Sequence, residues 1–248
     1  MELSEEGLVL KIGSSLEVNI IEAMRWRIRR LAPETEFGIV ILGAFAYFCL
    51  GSVLSASFPG TKPPISQAHL AFLVIYESVV LLLLGSMLYL RGWTLNRIGL
   101  KITGKDTFVG IGLALVAYAA FVAVWWIAAA FGIHASYPGS IQEIASHGLD
   151  LSSVISVSIL NPIYEETFLC GYILTDAKEN KHLVAGMSVS LAIRLTYHLY
   201  QGSVGVLVVI PLGLAFSIWY ARTGRLWPVI VAHGLFDVTG LLRFVGPS

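Results

Sequence analysis

Charged and ionisable side chains interrupt otherwise apolar segments of the sequence, and most of them come after residue 160. A charged side chain at the centre of a bilayer costs about 2.5–3.5 kcal/mol on insertion scales, so each one within an apolar segment requires an explanation. The residues of this kind are Glu77, Glu165, Glu166, Arg194, His198, His233 and Asp237. Carboxylates and imidazoles are the groups that perform general acid–base catalysis. The pattern therefore indicates a catalytic site built by the C-terminal apolar segments.

The spacing of the later residues predicts which of them share a helix face. Residues four apart lie one turn apart on the same face of a helix. Arg194 stands one turn before His198, and His233 stands one turn before Asp237. We expect both pairs to face one interior of the protein.

The two adjacent glutamates are expected to have separate roles. Glu165 and Glu166 point about 100° apart on a helix, so they cannot both face the same partner in the same way. A carboxylate in apolar surroundings can act as a general base on water. Glu77 is isolated in an earlier segment, and we predict a structural role for it.

Long apolar stretches define the elements that must position these side chains. Hydrophobic residues make up 56% of the 248 residues and charged ones only 13%, with a mean hydropathy of +0.77. About 20 apolar residues cross the roughly 30 Å hydrocarbon core as a helix. Seven stretches meet or nearly meet that length, at about 37–58, 70–90, 107–132, 151–175, 183–200, 204–220 and 226–244. We predict an all-α, polytopic transmembrane helical bundle of about seven spanning helices.

The N-terminal segment has a different pattern. Residues 1–36 interleave apolar and charged side chains, which predicts an interfacial amphipathic helix on the cytoplasmic surface. Residues 37–248 are predicted to form one transmembrane domain with the catalytic core at about 151–244. With a cytoplasmic N-terminus, 13 of the 16 Lys and Arg residues lie on the inner side and only Lys62 and Arg243 on the outer side. We therefore predict a multi-pass protein with its C-terminus on the opposite side.

Composition excludes several classes of protein. The formal net charge is zero, which argues against nucleic acid as a partner. Cys49 and Cys170 are the two cysteines, too few for a disulfide framework or a cysteine zinc cage. Every lysine lies outside the predicted spans, so no retinal Schiff base can form, and no repeated halves of the kind that transporters show are found.

Three short motifs follow one another in the C-terminal half of the sequence. Residues 165–171 read Glu-Glu-Thr-Phe-Leu-Cys-Gly, residues 194–198 read Arg-Leu-Thr-Tyr-His, and residues 233–237 read His-Gly-Leu-Phe-Asp. In order and spacing they resemble the motifs of the CAAX protease and bacteriocin-processing (CPBP, Abi) family of intramembrane proteases, of the type II CAAX prenyl endopeptidase kind. The first family motif is a Glu pair, three residues, Arg and Gly; the second is Phe, three residues and His; the third is His, three residues, then Asn or Asp. The similarity covers about residues 107–244.

Two residues depart from the family motifs. Cys170 stands where the motif has Arg, and Arg194 stands where the motif has Phe. We predict that Arg194 replaces the missing arginine by pairing with Glu166 across a helix interface, with Glu165 as the other candidate partner. Without such a pair the chain would be a catalytically inactive relative that acts as a membrane binding, immunity or scaffold protein.

The resemblance implies an endopeptidase that cleaves a peptide bond of a membrane-associated protein or peptide, with a prenylated CAAX-type protein among the candidates. Glu165 would activate a water, and His198 would hold or share its proton. His233 would stabilise the oxyanion, and Asp237 would either donate to the oxyanion when protonated or orient His233. The predicted catalytic residues are Glu165, Glu166, His198, His233 and Asp237, with Arg194 and Cys170 supporting them.

Metal dependence stays open at this point. We expect no cofactor, because carboxylates and imidazoles suffice for the chemistry. The alternative is a zinc ion held by Glu165, His198 and His233, with an open position for water. The predicted partners are a peptide or lipidated protein substrate and the lipid bilayer.

Overall fold

The regular structure of the described residues is helical. The computed structural model describes residues 22–58, 65–132 and 148–246. Within these ranges every regular element is helical, apart from an isolated β-bridge between Leu149 and Val245. The prediction of an all-α fold is confirmed.

The helix bounds follow the apolar stretches closely. The α-helices are α1 Pro33–Ser57, α2 Gln67–Leu90, α3 Gly104–Ala130, α4 Leu151–Glu166, α5 Ile173–Glu179, α6 Leu183–His198, α7 Gly202–Thr223 and α8 Trp227–Leu241. A π-helical segment, Thr167–Tyr172, joins α4 to α5, and 3-10 turns Leu199–Gln201 and Leu242–Phe244 follow α6 and α8. Residues 22–29 are helical as well, whereas residues 1–21 of the predicted amphipathic segment lie outside the described residues.

Among the described residues, three helices are long and apolar enough to cross a membrane. They are α1, α2 and α3, of 25, 24 and 27 residues. At 1.5 Å per residue, even 24 residues exceed the roughly 30 Å hydrocarbon core. Large apolar side chains on these helices are exposed, as in Leu82 at 70% and Phe108 at 76%, which suits contact with lipid. These helices make the chain an integral membrane protein.

Capping residues lie at the ends of several helices. The Ser66 hydroxyl accepts a hydrogen bond from the His69 backbone N–H at the start of α2, and Thr103 does the same for Asp106 at the start of α3. Gly224 ends α7 in the left-handed region, with a φ of 64°, which a residue with a side chain adopts only at a cost. These residues mark where the helices begin and end.

A buried carboxylate fastens α1 to the end of α2 and to the π-helical segment. Glu36 accepts hydrogen bonds from Arg91 Nε at 2.5 Å and from Trp93 Nε1 at 2.9 Å. Tyr172 donates its hydroxyl to the same carboxylate at 3.1 Å. The cluster lies at the end of the bundle where α1 begins and α2 ends.

Two further ion pairs lie at the same end of the bundle. Arg97 donates two hydrogen bonds to Glu179 at the end of α5, and these bonds lower the pKa of the Glu179 carboxyl. Arg225, just before α8, pairs with Asp106 at the start of α3. Charged residues are thus concentrated at helix ends rather than along the apolar faces.

Candidate active site

The predicted site residues lie on α4, α6 and α8, except Cys170, which lies on the π-helical segment after α4. Helix α4 contacts both α2 and α8, and α6 contacts α1 and α7. The approach of α8 to α4 depends on Gly234, because a Cβ there would lie 2.8 Å from the carbonyl oxygen of Ser158. The close approach holds the neighbouring His233 against α4.

A second glycine makes room for the charged side chain of α6. A Cβ on Gly213 of α7 would lie 2.9 Å from Leu191 Cδ1 and 3.1 Å from Arg194 Cδ. Arg194 therefore runs along the surface of α7 at a position with no side chain in its way. Its guanidinium is buried, with 4% of the side chain exposed, and points toward α4.

The two glutamates end α4, where the helix changes its geometry. Pro162 within α4 supplies no backbone N–H, and the π-helical segment Thr167–Tyr172 begins directly after Glu166. Wider π-helical turns occur mostly as local features and often at functional sites. Here the π-helical geometry begins directly after the two glutamates and places the Cys170 thiol next to Glu166.

Glu166 is the most heavily bonded group of the site. It is completely buried and accepts hydrogen bonds from Arg194 Nη2 at 2.9 Å on Oε1 and 3.0 Å on Oε2. His233 Nδ1 lies 2.7 Å from Oε1, and the Cys170 thiol donates to Oε2 at 3.2 Å. The predicted pairing of Arg194 with Glu166 is confirmed.

Glu165 faces a different set of partners, as expected for adjacent helical residues. Asn161 Nδ2 donates to its Oε1 at 3.2 Å, and the Tyr197 hydroxyl donates to its Oε2. The same Oε2 lies 3.4 Å from Arg194 Nη1 and 3.9 Å from His233 Nε2. Glu165 is 7% exposed, so this carboxylate lies inside the bundle and within reach of both basic side chains.

Asn161 and Tyr197 are site residues that the sequence analysis did not identify. Asn161 precedes Glu165 by four residues and Tyr197 follows Arg194 by three, so both lie on the predicted site faces. The spacing rule applied to the ionisable residues would have found them if neutral polar side chains had been included. Tyr197 is also held by Phe45 of α1, whose ring stacks on it with centroids 5.8 Å apart.

His233 lies between the glutamates and Asp237. Asp237 follows His233 by one helical turn. Its Oδ1 lies 3.6 Å from His233 Nε2, which is too far for a hydrogen bond. The contact of Nδ1 with Glu166 assigns a hydrogen to that nitrogen, since a carboxylate can only accept. Nε2 therefore faces the space between Glu165 and Asp237.

His198 lies beside the site but is not joined to Glu165. Its Nδ1 is buried and has no hydrogen-bond partner among the described residues. Its ring centroid lies 4.6 Å from that of Tyr197. We predicted that His198 would be the partner of Glu165. In the structure the neighbouring Tyr197 makes the hydrogen bond to Glu165.

Glu77 is isolated in the sequence, and we predicted a structural role for it. In the structure Asn161 Nδ2 donates to Glu77 Oε1 at 2.9 Å and to Glu165 at 3.2 Å. Helix α2 packs against α4, a contact that spacing along one helix cannot reveal. Glu77 is completely buried.

One group of side chains has the spacing of a metal site, but its charges do not suit a cation. Ligand atoms of Glu165, Glu166 and His233 lie within 4.8 Å of one another, so Glu166 takes the place that His198 had in the predicted zinc set. However, Arg194 Nη2 already contacts both oxygens of Glu166. A guanidinium so close to a divalent cation would repel it strongly in a buried site. The residues present therefore do not fit a metal ion.

Residues 147–239 match the family model described as type II CAAX prenyl endopeptidase Rce1-like. This segment is similar to the Rce1-like family. The match contains α4 to α7 and all of α8 but its last two residues, and so includes every residue of the site except Glu77. Neither the curated proteins nor the solved structures gave a match.

Similarity to the Rce1-like family supports a protease with a peptide or protein substrate. The cation of the site described above is Arg194, which lies on α6. The motif position on the π-helical segment holds Cys170, whose thiol contacts the same glutamate that Arg194 binds.

Proposed function

We propose that the chain is an intramembrane endopeptidase that hydrolyses a peptide bond with water activated by Glu165. The observation that carries the proposal is the ion pair of Arg194 with Glu166. This pair supplies, from across a helix interface, the cation that the family motif carries at position 170. It leaves Glu165 as the carboxylate that faces Tyr197 and His233.

In the proposed reaction Glu165 takes a proton from water as the oxygen attacks the carbonyl carbon of the substrate. The carbonyl π bond opens and leaves an oxyanion on a tetrahedral carbon. His233 donates to this oxyanion from Nε2 in its imidazolium form, while Nδ1 stays bonded to Glu166. Collapse of the intermediate breaks the C–N bond, and Glu165 returns the proton to the leaving amine.

Three other residues are proposed to support this step. Tyr197 and Asn161 hold the two oxygens of Glu165 and fix the direction of its free lone pair. His198, whose buried Nδ1 has no hydrogen-bond partner in the part of the chain that the structure describes, is proposed to contact the water or the substrate. Glu166 anchors His233 and Arg194 rather than acting as a base.

Asp237→Asn is expected to keep the protein active and to extend its activity to higher pH. An amide donates a hydrogen bond to the oxyanion at any pH, whereas a carboxylic acid donates only when protonated. The measurement is kcat against pH for the wild type and Asp237→Asn. Equal alkaline limbs would instead assign Asp237 to orienting His233, from which it lies 3.6 Å away.

Chelation of metal ions is expected to leave cleavage intact. The proposed base is a carboxylate acting directly on water, and Arg194 occupies the oxygens that a cation would need. The measurement is the initial cleavage rate with and without a strong chelator. If the chelator abolishes cleavage and zinc restores it, Glu165 and the histidines are metal ligands rather than acid–base groups.

We also propose seven membrane crossings with a cytoplasmic N-terminus. The crossings are α1, α2, α3, the continuous run from α4 to α5, α6, α7 and α8. The ion pairs at one end of the bundle and the excess of basic residues there support an inner side at that end. Single cysteines introduced at Arg225 and Arg243 in a cysteine-free background should react with a membrane-impermeant thiol reagent from opposite sides.

The substrate class is tested with the protein reconstituted in liposomes. A panel of peptides that carry a farnesyl, a geranylgeranyl or no lipid is incubated with the wild type and with Glu165→Ala, and the products are identified by mass spectrometry. We expect the wild type to cleave a lipidated member of the panel and Glu165→Ala to cleave none. Equal cleavage by both proteins would refute the proposed role of Glu165.

A further inference from the structure

One buried carboxylate outside the Rce1-like segment reaches the site. Glu77 lies on α2, whereas the family match begins at residue 147. Its Oε1 and Oε1 of Glu165 accept hydrogen bonds from one and the same nitrogen, Asn161 Nδ2. We propose that Glu77 is a positioning residue for Glu165 and acts through the amide of Asn161. The inference rests on the proposed function.

The geometry uses the full donor capacity of the amide. An amide nitrogen carries two hydrogens, and here one is directed to each carboxylate, at 2.9 Å and 3.2 Å. The terminal torsion of an Asn side chain is broad, so helix α4 alone does not fix the direction of the amide. Glu77 supplies the fixed acceptor that turns the amide toward Glu165.

Holding α2 against α4 does not require this contact. Gln67 of α2 already donates a hydrogen bond to Ser153 of α4, about two turns before Asn161. A separate apolar cluster that includes Leu70 and Val154 packs the same two helices together. These contacts hold α2 against α4 without the Glu77 carboxylate.

The energetics of Glu77 also argue against a purely structural role. It is completely buried, and its Oε2 has no hydrogen-bond partner among the described residues. A buried polar atom without a partner lowers stability, and an apolar side chain of similar size would avoid that loss. The benefit of the carboxylate is then expected in the orientation of Glu165.

The test measures kcat, KM and thermal midpoint of the full-length protein in liposomes, with the lipidated peptide that the wild type cleaves fastest. Glu77→Leu and Asn161→Leu are each expected to lower kcat about 10–100-fold, as loss of a supporting hydrogen bond does, and to leave KM within about twofold. Combining the two substitutions is expected to lower kcat no further than Asn161→Leu alone, because both remove the same bridge.

Two variants separate positioning from general damage. Glu77→Gln is expected to recover kcat to within about fivefold of the wild type, because its amide oxygen can accept from Asn161. Gln67→Ala removes two other polar contacts of the same interface, with Ser153 and with the Asp150 backbone N–H, and is expected to lower the thermal midpoint with kcat retained. A Glu77→Gln variant as impaired as Glu77→Leu would overturn the inference.

The outcomes distinguish this inference from the proposed function. Loss of cleavage in Glu165→Gln together with unchanged kcat in Glu77→Leu and Asn161→Leu overturns the inference alone. Undiminished cleavage by Glu165→Gln overturns the proposed function. If Glu77→Leu does not fold, Asn161→Leu decides, because it removes the bridge from α4 and an unchanged kcat would show that Glu165 needs no such support.

Discussion

Glu165→Gln is expected to lower kcat for peptide hydrolysis by about 10²–10⁴-fold, the usual contribution of a general base. Glutamine has the same shape and can still accept a hydrogen bond from Asn161, but it cannot take a proton from water. KM should change little, because the substitution removes an interaction that matters only in the transition state. The measurement is kcat and KM for the reconstituted protein.

Glu36→Gln is the matched control for this prediction. Glu36 is also a buried glutamate, 6% exposed, but its partners are Arg91, Trp93 and Tyr172 at the end of the bundle. Loss of its charge is expected to lower the thermal midpoint while kcat stays the same. If Glu165→Gln keeps kcat within about tenfold of the wild type, the base lies elsewhere.

Arg194→Phe is expected to destabilise the protein by about 3–5 kcal/mol, because it leaves a buried carboxylate without its cation. Glu166 has no exposed surface, and Arg194 bonds both of its oxygens. Arginine cannot lose its charge in a protein, so the pair holds a permanent cation inside the bundle. The measurement is the free energy of unfolding, by denaturant titration in detergent.

The second half of this prediction is a rescue. The Cys170 thiol lies 3.2 Å from Glu166 Oε2, so a side chain at position 170 is directed at the same carboxylate. Arg194→Phe combined with Cys170→Arg restores the family pattern and is expected to recover most of the lost stability and activity. Cys170→Arg alone is expected to destabilise, because two guanidinium groups would then face one glutamate. A double variant no more stable than Arg194→Phe would show that an arginine at position 170 cannot replace Arg194 as the partner of Glu166.

Much of the fold and part of the site could be predicted from patterns within single helices. The apolar stretches predicted the helices to within a few residues, because the thickness of the hydrocarbon core sets the length of an apolar spanning helix. The expected separation of Glu165 and Glu166 is confirmed by their partners, since Tyr197 bonds the first and His233 the second. The pairing of Arg194 with Glu166 was predictable because a buried guanidinium requires a carboxylate.

The remaining contacts depend on how helices are rotated and packed, which spacing along one helix does not determine. Glu77 looked isolated because its partner Asn161 lies 84 residues away in sequence on a different helix. His198 has the motif position of a partner for Glu165, but Tyr197 makes the hydrogen bond. The π-helical segment after Glu166 also has no signal in the hydrophobic pattern.

The central claim is that this site cleaves its substrate rather than only binding it. The most direct test is a single-turnover experiment, with a lipidated peptide at a concentration below that of the reconstituted wild-type protein and a chelator present. We predict complete conversion of the bound peptide into two fragments whose masses sum to that of the peptide plus one water. Peptide that stays bound and intact would contradict the account and identify the chain as a binding protein on an inactive protease scaffold.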